Sequence, residues 1–351
     1  MSDTNAEKIP VTVLTGYLGA GKTTLLNRIL SENHGKKYAV IVNEFGEIGI
    51  DNDLIIGADE EVFEMNNGCV CCTVRGDLVR ILDGLMKRKG KFDAIIVETT
   101  GLADPAPVAQ TFFVDEDVQK NARLDAVVTV ADAKWLSDRL KDAPEAKNQI
   151  AFADVIVLNK TDLVSKPELA EVEARIRGIN PYAKLHRTER CKVALSDVLE
   201  RGAFDLDRIL EIEPEFLDAG DGHDHHHDHD HHGHDHHHDH GHSHGGLKHY
   251  HDEEMQSLSL RSDKPLDPSI FMPWLQNLVA TEGQKILRSK GILSFADDDD
   301  RYVFQGVHMM LEGDHQRKWK EGEPRESRVV FIGRELPEQM IRDGFEGCIT
   351  T

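Results

Sequence analysis

Residues 16–24, with the sequence Gly-Tyr-Leu-Gly-Ala-Gly-Lys-Thr-Thr, restrict the folds open to this chain more than any other feature. They directly follow an apolar, β-branched run at 11–14 and match the pattern of a phosphate-binding loop between a strand and a helix. The glycines allow backbone N–H groups to surround phosphate oxygens at the helix N-terminus, and Lys22 adds positive charge. We therefore predict a nucleotide-binding domain. Its predicted contacts from this loop are Gly16, Gly19, Ala20, Gly21, Lys22, Thr23 and Thr24.

Short apolar runs alternate with segments of helical character from this loop to about residue 195. Continuous runs rich in Val and Ile are typical of parallel strands that are buried on both faces. The pattern predicts an α/β domain at 8–217 with a doubly wound, mostly parallel sheet. The predicted strands lie at 11–14, 39–42, 94–97, 126–130 and 155–158.

The nucleotide base is predicted to be read directly after the fifth of these runs, where Asn159, Lys160 and Asp162 occur. A carboxylate such as Asp162 can accept hydrogen bonds from the N1–H and the exocyclic amine of guanine. Adenine has no donor at N1 and would leave that carboxylate unpaired. GTP is therefore the expected nucleotide, and the domain is predicted to be a P-loop GTPase.

Glu98 follows the third run and is expected at the same carboxyl edge of the sheet. A carboxylate there can hold the coordination shell of a Mg²⁺ ion that the Thr23 hydroxyl ligates, and Gly101 lets the backbone approach the γ-phosphate. We predict that Lys22, Thr23 and Glu98 carry the hydrolysis. The glycine-containing loop after the second run is predicted to sense the γ-phosphate. Its candidate switch residues are Glu44, Gly46 and Glu47.

Three cysteines lie within four residues, at Cys69, Cys71 and Cys72. Thiolates are ligands for zinc, copper(I) and iron–sulfur clusters, and three so close together repel one another unless a cation or protons neutralise them. They leave a tetrahedral ion one ligand short, so the motif alone is not a closed structural zinc site. An open position suits a metal that must leave, and Glu44, Glu47 or a client residue could complete it. The alternative is a buried or redox-active cysteine cluster.

A segment at 218–254 consists largely of His, Asp and Gly, and sixteen of the twenty histidines lie between His223 and His251. It cannot build an apolar core, so it is predicted to be a disordered linker. Neutral imidazole binds zinc, nickel and copper, which favours a reservoir of weakly bound ions; a solvated spacer is the alternative. The candidate secondary ligands are His223, His225, His226, His227, His229, His231, His232, His234, His236, His237, His238, His240, His242 and His244.

Apolar patterning returns after the linker and predicts a smaller α+β domain. This domain is expected to span 255–345, with a helix around 271–275 and strands at 302–304 and 329–332. Trp274 and Trp319 are expected to pack its core. His308 is expected to be a hydrogen-bonded structural histidine rather than a metal ligand. Cys191 and Cys348 are expected to have no specific role.

The formal net charge of -22 disfavours non-specific binding to nucleic acid or to an anionic membrane. Five cysteines, three of them in one cluster, do not form the pattern of a disulfide framework. The first residues lack the basic and apolar regions of a signal peptide, and no apolar stretch reaches membrane-spanning length. We therefore expect a cytoplasmic protein whose partners are proteins and cations.

Taken together, these motifs resemble the CobW-type GTPase family of metallochaperones and metal-insertion proteins. The resemblance rests on residues 16–24, 43–46, 69–72, 98–101 and 159–162, the histidine-rich linker and the trailing domain. It implies GTP hydrolysis coupled to metal delivery, with Cys69, Cys71 and Cys72 as the metal ligands.

Within this family, the stretch 98–105 is more similar to the zinc-delivering branch than to the cobalt branch, in which Asp104 is not expected. Zinc is therefore the expected metal, and cobalt insertion for cobalamin synthesis is the alternative. A non-enzymatic metal buffer is a second alternative. The expected partner is a client metalloprotein that docks on the C-terminal domain, and a homodimer that depends on nucleotide or metal remains open.

Overall fold

The apolar runs of the N-terminal part form a parallel β-sheet. The computed structural model describes residues 8–32, 35–43, 62–65, 72–87, 92–203, 254–320 and 322–350. The strands are β1 (Ile9–Thr15), β2 (Tyr38–Asn43), β3 (Val62–Met65), β4 (Ala94–Glu98), β5 (Ala122–Asp132), β6 (Val155–Asn159) and β7 (Lys184–Arg187). Their order across the sheet is β3-β2-β4-β1-β5-β6-β7, and every pairing between these strands is parallel.

Parallel strands need crossover connections, and helices form the crossovers that the structure describes, which are all except the one between β2 and β3. The helices are α1 (Lys22–Ser31), α2 (Cys72–Met86), α3 (Ala106–Val114), α4 (Glu116–Asn121), α5 (Leu136–Asp142), α6 (Pro144–Phe152) and α7 (Lys166–Ile179). Local sequence explains where some of them begin. Asp115 accepts hydrogen bonds from the first-turn N–H groups of α4, and Ser165 and Glu168 form a capping box at α7. The predicted doubly wound α/β domain is confirmed.

The C-terminal part forms a second sheet, which is antiparallel. Its strands are β8 (Met255–Ser262), β9 (Ile286–Ser294), β10 (Asp300–Val307), β11 (Met310–Lys318) and β12 (Ser327–Arg334), in the order β11-β10-β9-β12-β8. Two helices accompany it, α8 (Pro268–Glu282) and α9 (Glu338–Glu346). The predicted smaller α+β domain is confirmed. In the part of the chain that the structure describes, no helix is long and apolar enough to cross a membrane.

The two faces of the second sheet pack against different partners. One face forms a separate core with the helices α8 and α9, in which Phe271, Phe304 and Phe345 are fully buried. The other face joins the core of the first domain through residues such as Val307 and Ile332. Trp274 packs against the separate core, as expected. The expectation for Trp319 is wrong, because it packs against the core that the two domains share.

A buried ion-pair cluster joins the domains. Asp154, just before β6, lies 3.0 Å from Arg288 and 3.1 Å from Lys290, which share one face of β9 because they are two residues apart. The second carboxylate oxygen of Asp154 accepts a hydrogen bond of 2.9 Å from the N–H of Val127. Burial alone would raise the pKa of Asp154, but Lys290, Arg288 and this N–H outweigh burial, and the pKa is lowered. Asp154 is therefore held as a carboxylate.

We predict that Asp154→Ala lowers the free energy of unfolding by about 3 to 5 kcal/mol, because it leaves two buried cations without their shared anion. The lowered pKa means that Asp154 contributes fully above its unfolded pKa of about 3.9 and loses the contribution as pH falls through the folded value. Urea unfolding should therefore give a constant difference from wild type between about pH 7 and pH 5.

Glu338→Ala is the matched control, since Glu338 pairs with Arg342 on an exposed helix surface. Its effect should stay within about 0.5 kcal/mol. Equal losses in the two variants would contradict a special role for the buried cluster.

Candidate functional site

The predicted site residues meet at the carboxyl edge of the parallel sheet. The phosphate loop leaves β1, Glu98 ends β4 and Asn159 ends β6. Because β4 and β5 flank β1, and β6 lies beside β5, the segments that follow these strands are neighbours. Ligands of doubly wound sheets bind in the crevice outside the carboxyl ends of the strands. The arrangement therefore places the predicted phosphate and base contacts in one crevice.

The phosphate loop depends on close backbone approach at Gly16. This glycine has a φ of 139°, and a Cβ atom there would lie 2.2 Å from the carbonyl oxygen of Val130. Only glycine fits without displacing β5. Lys22 begins α1, is 8% exposed and donates a hydrogen bond of 2.8 Å from its Nζ to the Gly16 carbonyl. The lysine cation thus lies across the loop, next to the N–H groups of the helix N-terminus.

Asn159 joins the loop that follows β6, which is the predicted base-reading loop, to the phosphate loop. Its buried side-chain amide donates to the carbonyl of Ala20 at 2.9 Å. The side-chain oxygen accepts from the N–H of Cys191 at 2.8 Å and from the Thr188 hydroxyl at 3.3 Å. One side chain therefore holds three segments together: the phosphate loop, the end of β6 and the loop after β7.

Lys160 adds a second tie between the same loops. It adopts a left-handed backbone conformation with a φ of 61°. Its Nζ donates to the Gly19 carbonyl and to a carboxylate oxygen of Asp132, both at 2.7 Å. Asp162 lies in the short 3₁₀ turn that follows and is exposed. Its side chain is therefore accessible to solvent at the carboxyl edge of the sheet.

Cys191 is part of this arrangement, contrary to the expectation that it has no specific role. It is completely buried, and its Sγ lies 3.4 Å from the carbonyl oxygen of Gly21. A Cβ atom at Gly21 would come within 3.1 Å of that sulfur. Burial raises the pKa of the Cys191 thiol to about 11, although Arg28 and Lys160 oppose the shift. If the sequence had indicated that β7 is a strand, Cys191 would have been predicted at the carboxyl edge of the sheet, because it follows the carboxyl end of β7.

The segment after β4 packs directly against the phosphate loop. Glu98 is buried and pairs in register with Leu14 of β1. The Thr99 hydroxyl donates to the hydroxyl of Thr15 at 2.8 Å. A Cβ atom at Gly101 would lie 2.6 Å from the backbone nitrogen of Leu18, so the two loops touch only because this residue is glycine.

The metal-binding predictions fall mainly outside the described residues. This holds for Glu44, Gly46, Glu47, Cys69 and Cys71 and for the histidines of the linker. Cys72 is the first residue of α2. The motif therefore lies between the carboxyl end of β3 at Met65 and the start of α2, and β3 neighbours β2 in the sheet. In the rest of the described chain, no group of three or more His, Cys, Asp or Glu residues is arranged to hold a metal ion.

His308 agrees with its expected structural role. Its Nδ1 lies 3.1 Å from the carbonyl oxygen of Gly283, and its ring lies 5.6 Å from the ring of Phe152. It therefore packs where the second domain meets α6. Cys348 is buried in the separate core of the second domain, and burial raises the pKa of its thiol to about 11.

A phosphate loop after β1 and an Asn-Lys-Thr-Asp loop after β6, joined at the carboxyl edge of a parallel sheet, define a P-loop GTPase domain. The chain belongs to the CobW/HypB/UreG family: residues 10–187 match the nucleotide-binding domain of that family. Residues 255–349 match the cobalamin synthesis protein cobW C-terminal domain. The predicted family resemblance is therefore confirmed.

Several relatives are similar over nearly the whole chain. The protein named zinc chaperone YjiA from Escherichia coli is 34% identical over 97% of this chain and 98% of its own length. Zinc-regulated GTPase metalloprotein activator 1 from Schizosaccharomyces pombe is 34% identical over 95% of this chain and 84% of its own. The crystal structure of Zn(II)-bound YjiA GTPase superimposes with a TM-score of 0.72 at 29% identity, covering 98% of this chain and 99% of that one.

We predict that Cys191 and Cys348 resist alkylation in the folded protein. At pH 8, a thiol with a pKa of about 11 is ionised in roughly one molecule in a thousand, against roughly a quarter for an ordinary cysteine. Peptide mass spectrometry after iodoacetamide treatment should find both unmodified in buffer and both modified in denaturant. Labelling of Cys191 at the same rate in both conditions would contradict its burial beneath the phosphate loop.

Proposed function

We propose that this protein is a GTPase whose hydrolysis cycle times the delivery of zinc to client metalloproteins. The observation that carries the proposal is the joining of the phosphate loop to the base-reading loop through Asn159 and Lys160. A metal buffer with a vestigial nucleotide loop would have no need of these ties. Two relatives that match nearly the whole chain, one named a zinc chaperone and one named a zinc-regulated GTPase metalloprotein activator, support zinc rather than cobalt as the metal.

In this proposal, each side of the crevice handles one part of GTP. The glycine-rich backbone and Lys22 bind the β- and γ-phosphates, and Gly101 allows the loop after β4 to approach the γ-phosphate. Asp162 accepts the N1–H and amine of guanine. The rigid ties at Asn159 keep the two contacts at a fixed separation, so that binding the base positions the phosphates.

The crevice also has suitable donors for Mg²⁺. Thr23 lies in the first turn of α1, and the buried carboxylate of Glu98 ends the neighbouring strand β4. Hydroxyl and carboxylate oxygens are the hard ligands that this ion prefers. Thr23 and Glu98 would hold the ion, which when bound neutralises charge on the phosphate oxygens.

Zinc is the cargo in this proposal, and Cys69, Cys71 and Cys72 are its ligands. In the chain, their segment follows Met65, the last residue of β3, and ends at Cys72, the first residue of α2. The strand β3 pairs with β2, which precedes the predicted switch loop in the sequence. Bound GTP would favour the conformation in which the three thiolates form one metal site, and hydrolysis would weaken that site. The open fourth position then allows transfer to a client, which we propose docks on the C-terminal domain. The linker histidines would supply the site with weakly bound ions.

We predict that the protein hydrolyses GTP and that Lys22→Ala lowers kcat/KM at least about a hundredfold, because the cation nearest the transferred phosphate is lost. Replacing GTP by ATP should cost about a hundredfold in kcat/KM, since adenine leaves Asp162 unpaired. Phosphate release measures both effects.

Lys120→Ala, at an exposed lysine on α4 that pairs with Asp117, is the control and should keep full activity. Turnover that survives Lys22→Ala, or that does not distinguish GTP from ATP, would argue against this site.

We predict that a non-hydrolysable GTP analogue changes zinc affinity by about 5- to 150-fold, and that zinc changes analogue affinity by the same factor. Calorimetry on a variant lacking residues 222–246 avoids heat from the linker histidines. The same variant with Cys69, Cys71 and Cys72 all changed to Ser should lose the tight zinc site. Equal zinc affinities with and without the analogue would refute coupling between metal and nucleotide.

A further inference from the structure

The helix α6 contacts both the loop after β4 and the C-terminal domain. Its residue Gln149 is 1% exposed and points towards that loop. The side-chain nitrogen of Gln149 donates to the carbonyl oxygens of Gly101 and Ala103, at 3.1 Å each. The Gln149 backbone carbonyl in turn accepts a hydrogen bond of 2.7 Å from Thr129 of β5. The backbone of the loop is therefore fixed to α6 at two points.

The preceding residue, Asn148, extends this connection to the second domain. Its side-chain nitrogen donates to a carboxylate oxygen of Asp104 at 2.9 Å, and its side-chain oxygen accepts from Arg334 at 2.6 Å. Arg334 is the last residue of β12 and also lies 3.3 Å from the carbonyl oxygen of Pro144. An unbroken series of side-chain contacts thus runs from the antiparallel sheet to the loop.

The chemistry at Asn148 allows one orientation of its amide. Asp104 accepts both of its described hydrogen bonds, and Arg334 can only donate them. The Asn148 nitrogen must therefore face Asp104 and its oxygen must face Arg334. A side chain with both a donor and an acceptor is required, so neither an acid nor a base can replace it.

The same loop is also held at its far end. The second carboxylate oxygen of Asp104 accepts a hydrogen bond of 2.9 Å from the N–H of Ala106, the first residue of α3. That helix packs against β10 and β11 of the second domain. Both ends of the segment between β4 and α3 are therefore connected to elements that contact the C-terminal domain.

We propose that Asn148 is a positioning residue for GTP hydrolysis. Through its hydrogen bonds to Arg334 and to Asp104, it fixes the loop that carries Gly101 relative to the C-terminal domain. The inference rests on the proposed function, because Gly101 is expected to approach the γ-phosphate. The loop adopts its working position only while the C-terminal domain is seated on α6. A client that shifts this domain thereby changes the rate of hydrolysis.

Two variants interrupt the series at different points. Arg334→Ala removes the contact with the second domain. Asn148→Asp keeps an acceptor for Arg334 but places a second carboxylate against Asp104. Arg342→Ala is the matched control, because this arginine of the same domain pairs only with Glu338 among the contacts that the structure describes for it.

We expect Arg334→Ala and Asn148→Asp each to lower kcat about three- to tenfold and to leave KM for GTP within about twofold. Hydrogen–deuterium exchange should quicken in residues 99–105 in both variants. The control should match wild type in both measurements. Thermal melting identifies any general loss of folding, and Arg334→Ala tests the proposal even if Asn148→Asp folds poorly.

Unchanged exchange in residues 99–105, or a kcat equal to or above that of the control, would overturn the proposal. The exchange measurement needs no turnover. If the wild-type protein fails to hydrolyse GTP, the proposed function fails, while exchange still decides whether Arg334 and Asn148 position the loop.

Discussion

The central strands of the first sheet, β1, β2, β4, β5 and β6, are parallel and largely buried on both faces, and this constraint determines where chemistry can occur. These central strands are mostly apolar, so polar side chains that bind ligands are expected at strand ends. The segments after β1, β4 and β6 meet there. The sheet brings these segments to one edge but does not fix the distances between them. Hydrogen bonds from side-chain amides and close backbone contacts fix those distances.

Two asparagines illustrate how the spacing is set. Asn159 joins the phosphate loop, β6 and the loop after β7, while Asn148 joins the loop after β4 to the second domain. Each uses the carbonyl and the amino group of one side chain in different directions. An amide suits this task because it carries no charge that must be desolvated and yet satisfies a donor and an acceptor together.

Much of the fold could be predicted from local sequence patterns, and the elements and residues that were missed were missed for physical reasons. Five apolar runs became strands because burial on both faces leaves a continuous hydrophobic signature. The short strand β7 carries polar and charged residues, so its pattern gave no signal, and the place of Cys191 was missed with it. The phosphate loop was recognisable because its glycines are needed for local backbone geometry. Asn148 and Gln149 were not, because the side-chain hydrogen bonds described for them are with residues distant in the chain.

The pairing of Asp154 with Arg288 and Lys290 has a consequence for how these two domains can be recombined. An isolated N-terminal domain would present an aspartate whose counter-charges are gone, and an isolated C-terminal domain would present two cations amid apolar Val330 and Ile332. Water would solvate these charges, but it would also contact the apolar side chains that the other domain covers in the intact protein. The domains are therefore not interchangeable modules. A chimera that joins one of them to the matching half of a relative should remain well folded only where the donor carries the complementary charges at this seam.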